Sequence, residues 1–439
     1  MARLSKFVQR DSKLKAYDFL ICLMFSRLDS ESLSLQEIAN EIGHHFDCSI
    51  SKQSLDKRFN SHTVKFFELL LSETIKGKLS TDFPMAYLDK FNSVRIQDST
   101  SFQLPASLKD AYGGCGGNTT GAMVRIQFEY DLKDNGIYAL DIQSGSQQDV
   151  THAKENTYKI NQGDLIIRDL GFSSKAVFQE IDAKKAFYIS KLRFRQHVYH
   201  QAGTDAPVQA ILLKDIYKEL NSPFKQVVEK EVYLDEKMKF KIRLIAEKVP
   251  DKIYEERIRK ANKEVKKKGR ELSKEYKLMA RMNIYITNTP SETVPAEEVR
   301  KVYCIRWQVE LIFKAWKSSL GIDNVKKMKK ERFETQLLAK LMFIVITLDI
   351  YTLLNSYKIR VNKTIISYQK YMRHLFNKLE SFMFSILQNK VSFFIDKIIN
   401  TCLLKQMDIE IKKGKISSIH SIILLSSKPD ILKYPLKFA

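Results

Sequence analysis

Three acidic residues are placed where they could carry out phosphoryl transfer. Asp98 ends the alternating stretch 93–98, Asp169 ends the apolar run 164–169, and Glu310 lies among apolar residues of a predicted helix. Open α/β sheets bind ligands at the carboxyl ends of their strands. Carboxylates that converge there repel one another unless cations lie between them, and hard oxygen ligands suit Mg²⁺ or Mn²⁺. A lone strand-end aspartate is more often a turn or cap residue, so this hypothesis depends on a second pattern.

The second pattern is the spacing of Tyr303, Arg306, Glu310 and Lys317, which are 3, 4 and 7 residues apart. In a continuous helix over about 297–320, a rotation of about 100° per residue places all four within an arc of roughly 60°. An ordinary amphipathic helix with ion pairs explains Arg306 and Glu310. It does not explain the tyrosine and the second cation on the same line, so the spacing favours a functional face.

These residues resemble a known motif. The spacing Tyr303-x2-Arg306-x3-Glu310-x6-Lys317 is similar to that of bacterial insertion-sequence transposases of the DDE class. Residues 96–100 (Ile-Gln-Asp-Ser-Thr) resemble the first-acid strand of that family, and residues 168–172 (Arg-Asp-Leu-Gly-Phe) resemble its second-acid segment. The resemblance covers about residues 90–350.

The resemblance implies an RNase H-like catalytic core in which Asp98, Asp169 and Glu310 are catalytic and bind two Mg²⁺ ions, which Mn²⁺ can replace. It implies that Tyr303, Arg306 and Lys317 contact DNA phosphates near the transposon end. A cation aimed at a phosphate both positions the strand and stabilises charge in the transfer.

The function implied is cut-and-paste DNA transposition. The chain would bind the terminal inverted repeats, cleave the element's ends and join them to target DNA, as a homodimer in the synaptic complex. Some relatives form a DNA hairpin and hold a flipped base on a tryptophan of the insertion domain. Here Trp307 and Trp316 are the only tryptophans and flank Glu310, so hairpin formation and hydrolytic excision both stay open. A repurposed DNA-binding protein and an RNase H-like nuclease are the alternatives.

The elements that must position these residues alternate between strand and helix. Period-two or apolar runs predict strands over 93–98, 121–132, 136–142, 164–169 and 186–192, with a helix over 173–185. The Asn-Gly pair within 133–136 predicts a hairpin turn, and the glycines of 113–117 predict a flexible loop. This order predicts an α/β fold with a mixed sheet.

Five segments follow from this pattern. We expect a helical N-terminal DNA-binding region over 1–90, the first part of the core over 91–192 and a β-rich insertion subdomain over 193–290. The second part of the core, with the Glu310 helix, follows over 291–350. A helical C-terminal region over 351–439 is a candidate dimer interface.

The N-terminal region contains a possible helix-turn-helix. Residues 35–43 predict a short helix ending at Gly43, and residues 51–59 predict a second, basic helix with Lys52, Lys57 and Arg58 as candidate DNA contacts. A plain helical bundle is the equal alternative, because two helices around a turn are a common pattern.

Composition agrees with a nucleic-acid partner. The chain has 439 residues, a formal net charge of +22 and a hydrophobic fraction of 44%. Such a charge must lie mostly on the surface, where it suits phosphates. Five scattered cysteines form no metal or disulfide pattern and fit a reducing cytoplasm. The apolar run 337–350 is too short to span a bilayer and predicts a buried helix. We therefore expect a cytoplasmic, nucleoid-associated protein without a membrane partner.

Overall fold

The structure is a computed structural model that describes all residues except 26–33, 77–87, 115–120, 134–135, 202–206, 223–224, 268, 363, 402 and 409–439. The chain forms two compact units. Unit 1 comprises residues 1–85, 98–147 and 307–439, and unit 2 comprises residues 86–97 and 148–306. The chain therefore passes from one unit to the other immediately before Asp98 and immediately after Arg306.

The strands of the described residues form a mixed sheet, which confirms the predicted α/β class. Their order in the sheet is β3-β2-β1-β4-β5-β10-β9-β8-β6-β7. Their bounds are β1 Ser93–Gln103, β2 Met123–Asp131, β3 Gly136–Ser144, β4 Asp164–Arg168, β5 Phe187–Lys191, β6 Tyr199–His200, β7 Gln209–Ala210, β8 Val227–Tyr233, β9 Lys241–Lys248 and β10 Met282–Thr287.

Helices account for most of the remaining described residues. Their bounds are α1 Ala16–Phe25, α2 Leu35–Phe46, α3 Lys52–Arg58, α4 Ser61–Lys76, α5 Asp149–Glu155, α6 Lys175–Ala183, α7 Leu213–Leu220, α8 Asp251–Lys266, α9 Lys274–Met279, α10 Ala296–Cys304, α11 Trp307–Leu320, α12 Lys330–Asn362, α13 Tyr368–Phe376, α14 Leu379–Leu387, α15 Val391–Ile399 and α16 Leu403–Gln406.

Unit 2 contains the parallel part of the sheet. The first half of β1 pairs in parallel with β4, from Ser93 with Asp164 to Gln97 with Arg168. Strand β4 pairs in parallel with β5, whereas β10 runs antiparallel to β5 and β9. Strand β4 is buried along its whole length, which explains its continuous apolar sequence. The parallel pairing brings the carboxyl ends of β4 and β5 to one edge.

Residues 193–290, predicted as a β-rich insertion, supply β6 to β10 and the helices α7 to α9. Their strands extend the same sheet. The apolar side chains of β8, β9 and β10 join those of β4 and β5 in one core, which includes Ile166, Tyr188, Leu244 and Ile284. This segment therefore helps to bury the strand that precedes Asp169.

Unit 1 contains the antiparallel hairpin of β2 and β3. Pairing from Val124 with Ser144 to Asp131 with Gly136 confirms the hairpin predicted from the Asn-Gly pair. The turn residues Asp134 and Asn135 lie outside the described residues, as do residues 115–117 of the glycine-rich segment.

The two predicted N-terminal helices are present as α2 and α3, joined by a short turn. Ser34 begins α2 with a capping box, because its side chain accepts from the Glu37 N–H while the Glu37 carboxylate accepts from the Ser34 N–H. The predicted end at Gly43 is wrong. Helix α2 continues to Phe46 and ends at Asp47, whose φ of 48° is left-handed. Burial of Ile38 and Ile42 stabilises the helix in spite of the glycine.

Helix α12 contains the predicted buried run 337–350 and packs against α1 and α4. Among the described residues it is the helix that is long and apolar enough to cross a membrane. However, 78% of its most apolar 18-residue window is buried within the protein. That burial is typical of a core helix, so the prediction of a buried helix is confirmed.

Candidate active site

The predicted helix over 297–320 is wrong as a single element, because it is broken after Cys304. The N–H groups of Ile305 and Arg306 donate to the carbonyl oxygens of Val302 and Tyr303, both at 3.2 Å. These bonds span three residues and close a tight turn instead of continuing the α-helix. Tyr303 and Arg306 therefore belong to the α10 side of the break.

Glu310 lies in the first turn of α11 rather than in the middle of a long helix. Lys317 lies in the last turn of the same helix. The four motif residues are thus divided into two pairs, and the predicted single functional face does not exist as one continuous helix.

Asp98 does not end a strand as predicted, because β1 continues to Gln103. Beyond Asp98, Thr100 and Phe102 are buried and keep the alternation of a strand. The Leu104 N–H then donates to the Ala122 carbonyl at 3.0 Å, which links β1 to the start of the hairpin. Asp98 is half-buried, and its Oδ1 accepts from the Ser99 N–H at 2.8 Å.

Helix α11 packs in unit 1 beside the second half of β1. The Lys317 Nζ donates to the Ser101 carbonyl at 3.0 Å. Phe313 and Trp316 pack on Phe128 of β2, with ring centroids 5.9 and 5.2 Å apart from it.

Glu310 lies one helical turn before Phe313 on α11. An open groove beside α11 is lined by Glu310, Phe313, Lys314, Lys317, Ser318 and Asp323. Unit 1 thus contains two of the three predicted acids, Asp98 and Glu310.

Asp169 belongs to unit 2 and directly follows β4, as predicted. Its side chain is 46% exposed, and Arg306 Nη2 lies 3.7 Å from its Oδ1. The following residues, Leu170–Phe172, form a short 3₁₀ turn. A side chain at Gly171 would place its Cβ 2.9 Å from Asp149 Oδ2, so any larger residue at this position requires the Asp149 carboxylate or the turn to move.

Two cations that the sequence analysis missed lie beside this turn. Arg193 donates to the carbonyl oxygens of Leu170 at 2.7 Å and Ser173 at 3.1 Å, and so braces the segment after Asp169. Lys191 is the last residue of β5, and its Nζ lies 5.4 Å from the centre of the Tyr303 ring. The rule that identified Asp169, a polar residue at a strand's carboxyl end, also applies to Lys191.

The parallel pairing of β1 with β4 ends at Gln97 and Arg168. The next residue of each strand is a predicted catalytic aspartate, Asp98 and Asp169. Within the described part of the chain, no group of three or more His, Cys, Asp or Glu side chains lies close enough together to hold a metal ion.

The comparisons with known proteins decide the family. A family profile described as a transposase DDE domain matches residues 89–346, more than half of the chain. The transposase for insertion sequence element IS231F of Bacillus thuringiensis subsp. israelensis is 32% identical over 358 residues, 78% of this chain and 75% of the relative. The transposase for insertion sequence element IS1151 of Clostridium perfringens is 29% identical over 440 residues, 97% of this chain and 92% of the relative.

The chain belongs to the DDE transposase family. The resemblance inferred from the motif spacing is therefore confirmed. DDE transposases are enzymes of the nuclease and transferase type that generally use divalent metal ions. Asp98, Asp169 and Glu310 carry hard carboxylate oxygens, the donor type that such ions prefer.

The basic residues predicted on α3 of this transposase differ from one another. Lys52 and Lys57 are exposed. Arg58 is half-buried, its Nη2 donates to Ser12 Oγ at 2.9 Å, and burial lowers its pKa. In the same helix Asp56 pairs with Lys329 at 3.2 Å. The two lysines are thus the more accessible part of the predicted DNA surface.

Proposed function

We propose that this transposase catalyses cut-and-paste transposition of a bacterial insertion sequence. It would bind terminal inverted repeats, cleave the ends of the element and join the exposed 3′-hydroxyls to target DNA. The observation that carries this proposal is the ordered set Asp98, Asp169 and Tyr303-x2-Arg306-x3-Glu310-x6-Lys317, which lies within the matched transposase domain. Relatives named as insertion-sequence transposases support it.

In this proposal Asp98, Asp169 and Glu310 hold two Mg²⁺ ions, for which Mn²⁺ can substitute. Two such ions, when bound, stabilise the attacking and the leaving oxygen of a phosphoryl transfer. The chain's own part is to fix the carboxylates on rigid elements. Pairing of β1 with β4 fixes the positions that precede the two aspartates, and the bond from Lys317 to Ser101 fixes α11, which carries Glu310.

The three other motif residues would bind DNA phosphates. Arg306 presents a planar fork that matches two phosphate oxygens, and it already lies beside a carboxylate, Asp169. Lys317 lines the same groove as Glu310, so a strand lying in that groove would meet a cation. Tyr303 would add a hydroxyl donor and an aromatic face.

We propose that double-stranded DNA, both terminal repeat and target, is the partner of the whole chain. The net charge of +22 supports phosphate binding, and α3 with Lys52, Lys57 and Arg58 is the proposed reader of the repeat. Cutting two ends together requires two active sites, so a homodimer would form the synaptic complex, with residues 351–439 as its candidate interface. The bacterial cytoplasm, at the nucleoid, is the corresponding location.

The test is a cleavage and joining assay on duplexes that carry the element's own terminal repeat. With Mg²⁺ or Mn²⁺ the wild type should cleave and join, and with a chelator it should do neither. Asp98→Asn and Glu310→Gln should each slow cleavage by about a thousandfold or more, because each removes a carboxylate that would hold the metal ions. Binding to the repeat should persist in both variants.

Glu255→Gln is the matched control, because Glu255 is an exposed residue of α8. It should cleave at the wild-type rate. Cleavage by Asp98→Asn at that same rate would refute the assignment. Cutting of duplexes without the repeat, and no joining, would instead identify an RNase H-like nuclease, and binding without any cutting would identify a repurposed DNA-binding protein.

A further inference from the structure

Lys191 is a cation at the same sheet edge as Asp169, and no motif assigns it a role. In the parallel pairing of β4 with β5, Leu165 lies opposite Phe187, Ile166 opposite Tyr188 and Ile167 opposite Ile189. Continuing this register by two residues on each strand places Lys191 opposite Asp169. Lys191 is the last residue of β5 and Asp169 directly follows β4, so the two residues lie at the same level of neighbouring parallel strands.

The side chains around Lys191 converge on one aromatic ring. The Lys191 Nζ lies 5.4 Å from the centre of the Tyr303 ring, and the Arg306 Cζ lies 5.8 Å from the same centre. Tyr285, which is paired with Lys191 across β5 and β10, packs against that ring at 5.3 Å. Arg306 Nη2 is in turn 3.7 Å from Asp169 Oδ1. Two cations therefore meet at Tyr303, and one of them, Arg306, lies beside the Asp169 carboxylate.

This arrangement of positive charges is electrostatically unfavourable when no DNA is bound. Burial lowers the pKa of Lys191, and the charges of Arg257 and Arg306 lower it further, whereas Cys304 and Asp169 act in the opposite direction. Cations gathered in a half-buried place repel one another, and a bound anion relieves that repulsion. Of the anions that a DNA-cutting enzyme meets, the phosphodiester is the one present in every substrate.

We propose that Lys191 binds a DNA phosphate together with Arg306, as a further phosphate-binding residue of the Asp169 edge. In this proposal the ring of Tyr303 keeps the two cations apart and orients both of them towards the bound DNA strand. This inference rests on the proposed function, because it takes DNA as the substrate. It adds to the motif a cation from a different strand, 22 residues after Asp169 in sequence.

The experiment combines loss of the lysine charge with loss of single phosphate charges. Terminal-repeat duplexes would each carry one neutral methylphosphonate, moved stepwise across the cleavage site. In the wild type, one such position should slow cleavage by about tenfold or more, as expected when one charge contact to the transferring strand is lost. Lys191→Met should also slow cleavage of the unmodified duplex, and the same methylphosphonate should then have a smaller further effect than in the wild type, because only the contact with Arg306 is left to lose.

Binding to the unmodified repeat supplies a second readout. The slope of log K against log salt should become shallower by about 0.9 in Lys191→Met, the contribution of one phosphate contact. Lys191→Arg keeps the charge and should keep most of the slope. Lys185→Met is the control, because Lys185 is exposed and precedes β5 at the opposite edge of the sheet. It should match the wild type in both assays.

Equal sensitivity of the wild type and Lys191→Met to every methylphosphonate would overturn the proposal. If Lys191→Met fails to fold, Lys191→Gln, which keeps length and polarity, carries the same expectations. If neither Lys191→Met nor Lys191→Gln folds while Lys191→Arg does, the lysine charge stabilises the folded protein, and this outcome would also overturn the proposal of phosphate binding. If the wild type itself does not cleave, the proposed function fails, whereas the salt slope still reports on Lys191.

Discussion

The two halves of the Tyr-Arg-Glu-Lys motif are held in place by different physical means. In unit 1, α11 carries Glu310 and Lys317 and is fixed by aromatic packing of Phe313 and Trp316 on Phe128. In unit 2, Tyr303 and Arg306 are fixed by a neighbouring tyrosine ring, by cations and by a carboxylate. One half of the motif is thus held by apolar aromatic packing, and the other half by a ring contact and by charged groups.

This difference indicates how the two halves respond to change. Packing energy depends on buried area and shape, so the α11 side should be sensitive to truncation of apolar groups. On the α10 side, the ion pair of Arg306 involves an Asp169 side chain that is 46% exposed, and ion pairs open to solvent contribute little to stability. Substitutions there should change DNA chemistry more than folding.

Truncation of the aromatic core of unit 1 should have the largest effect. Trp316 is fully buried, with ring contacts to Phe128 and Phe313. Trp316→Ala should lower the free energy of unfolding by about 3–5 kcal/mol, as measured by urea denaturation. Trp307 is 56% exposed, so Trp307→Ala should change it by no more than about 0.5 kcal/mol. Equal losses in the two variants would contradict an aromatic anchor for α11.

The cations of the two halves should separate activity from stability. Arg306→Met should slow cleavage by about tenfold to a hundredfold, since a charge-assisted contact to phosphate is lost, while unfolding changes little. Lys317→Met should slow cleavage and also lower the free energy of unfolding by about 1 kcal/mol, because the bond to the Ser101 carbonyl is lost. Comparable destabilisation by both variants would remove the contrast between the halves.

Arg306→Lys sharpens this experiment. A lysine keeps the charge but not the planar fork, so it should restore only part of the cleavage rate. Full recovery would indicate that Arg306 acts as a point charge, and that the geometry beside Asp169 is unimportant.

The sequence predicted those elements whose pattern is local. The alternation in β2 and β3 with the Asn-Gly pair predicted the hairpin, and the apolar run of β4 predicted a buried strand that ends at Asp169. The break at Ile305 and Arg306 was missed because neither residue is a glycine or proline, the usual signals of a helix end. Only the tertiary structure shows that the chain changes unit at that point.

Two site features needed knowledge of which elements pair. The stretch Ser99-Thr100-Ser101 has the polar composition of a loop, so β1 was expected to end at Asp98, whereas pairing near Ala122 extends it to Gln103. Lys191 ends a predicted strand, but its place beside Asp169 follows only from the register of β5 with β4. The candidate acids were thus found by family resemblance, and their supports by structure.

Two glycines should respond in opposite ways to the same change. Gly171→Ala places a Cβ 2.9 Å from Asp149 Oδ2 in unit 2, so it should cost about 1 kcal/mol of stability and slow cleavage by displacing the Asp169 turn. Gly43 lies within α2 of unit 1, with no atom within 4 Å of an added Cβ. Gly43→Ala should therefore raise the free energy of unfolding by about 0.5–1 kcal/mol. A destabilising Gly43→Ala or a silent Gly171→Ala would contradict the packing argument.

The smallest expected effect concerns the polar support of α10. Glu247 of β9 is 8% exposed, and its Oε2 lies 3.6 Å from Arg300 Nε of α10. Burial raises the pKa of this carboxyl above 4.5, although Arg300 and Lys301 act in the opposite direction. Because the pKa of Glu247 is raised in the folded state, the folded protein binds more protons than the unfolded chain at pH values around and between the two pKa values. Stability from this group is therefore present in acid and is lost as the pH rises through the folded pKa.

Glu247→Gln removes this titration while keeping the size of the side chain. The free energy of unfolding of the variant minus that of the wild type should increase between about pH 4.5 and pH 7, by some tenths of a kcal/mol, because the ion pair to Arg300 is weak. Urea denaturation at several pH values measures it, with Glu255→Gln as the exposed control that should show no such trend. If this difference stays constant or falls with pH, the attraction between Arg300 and Glu247 outweighs the cost of burying the carboxylate. The ion pair would then stabilise the position of α10.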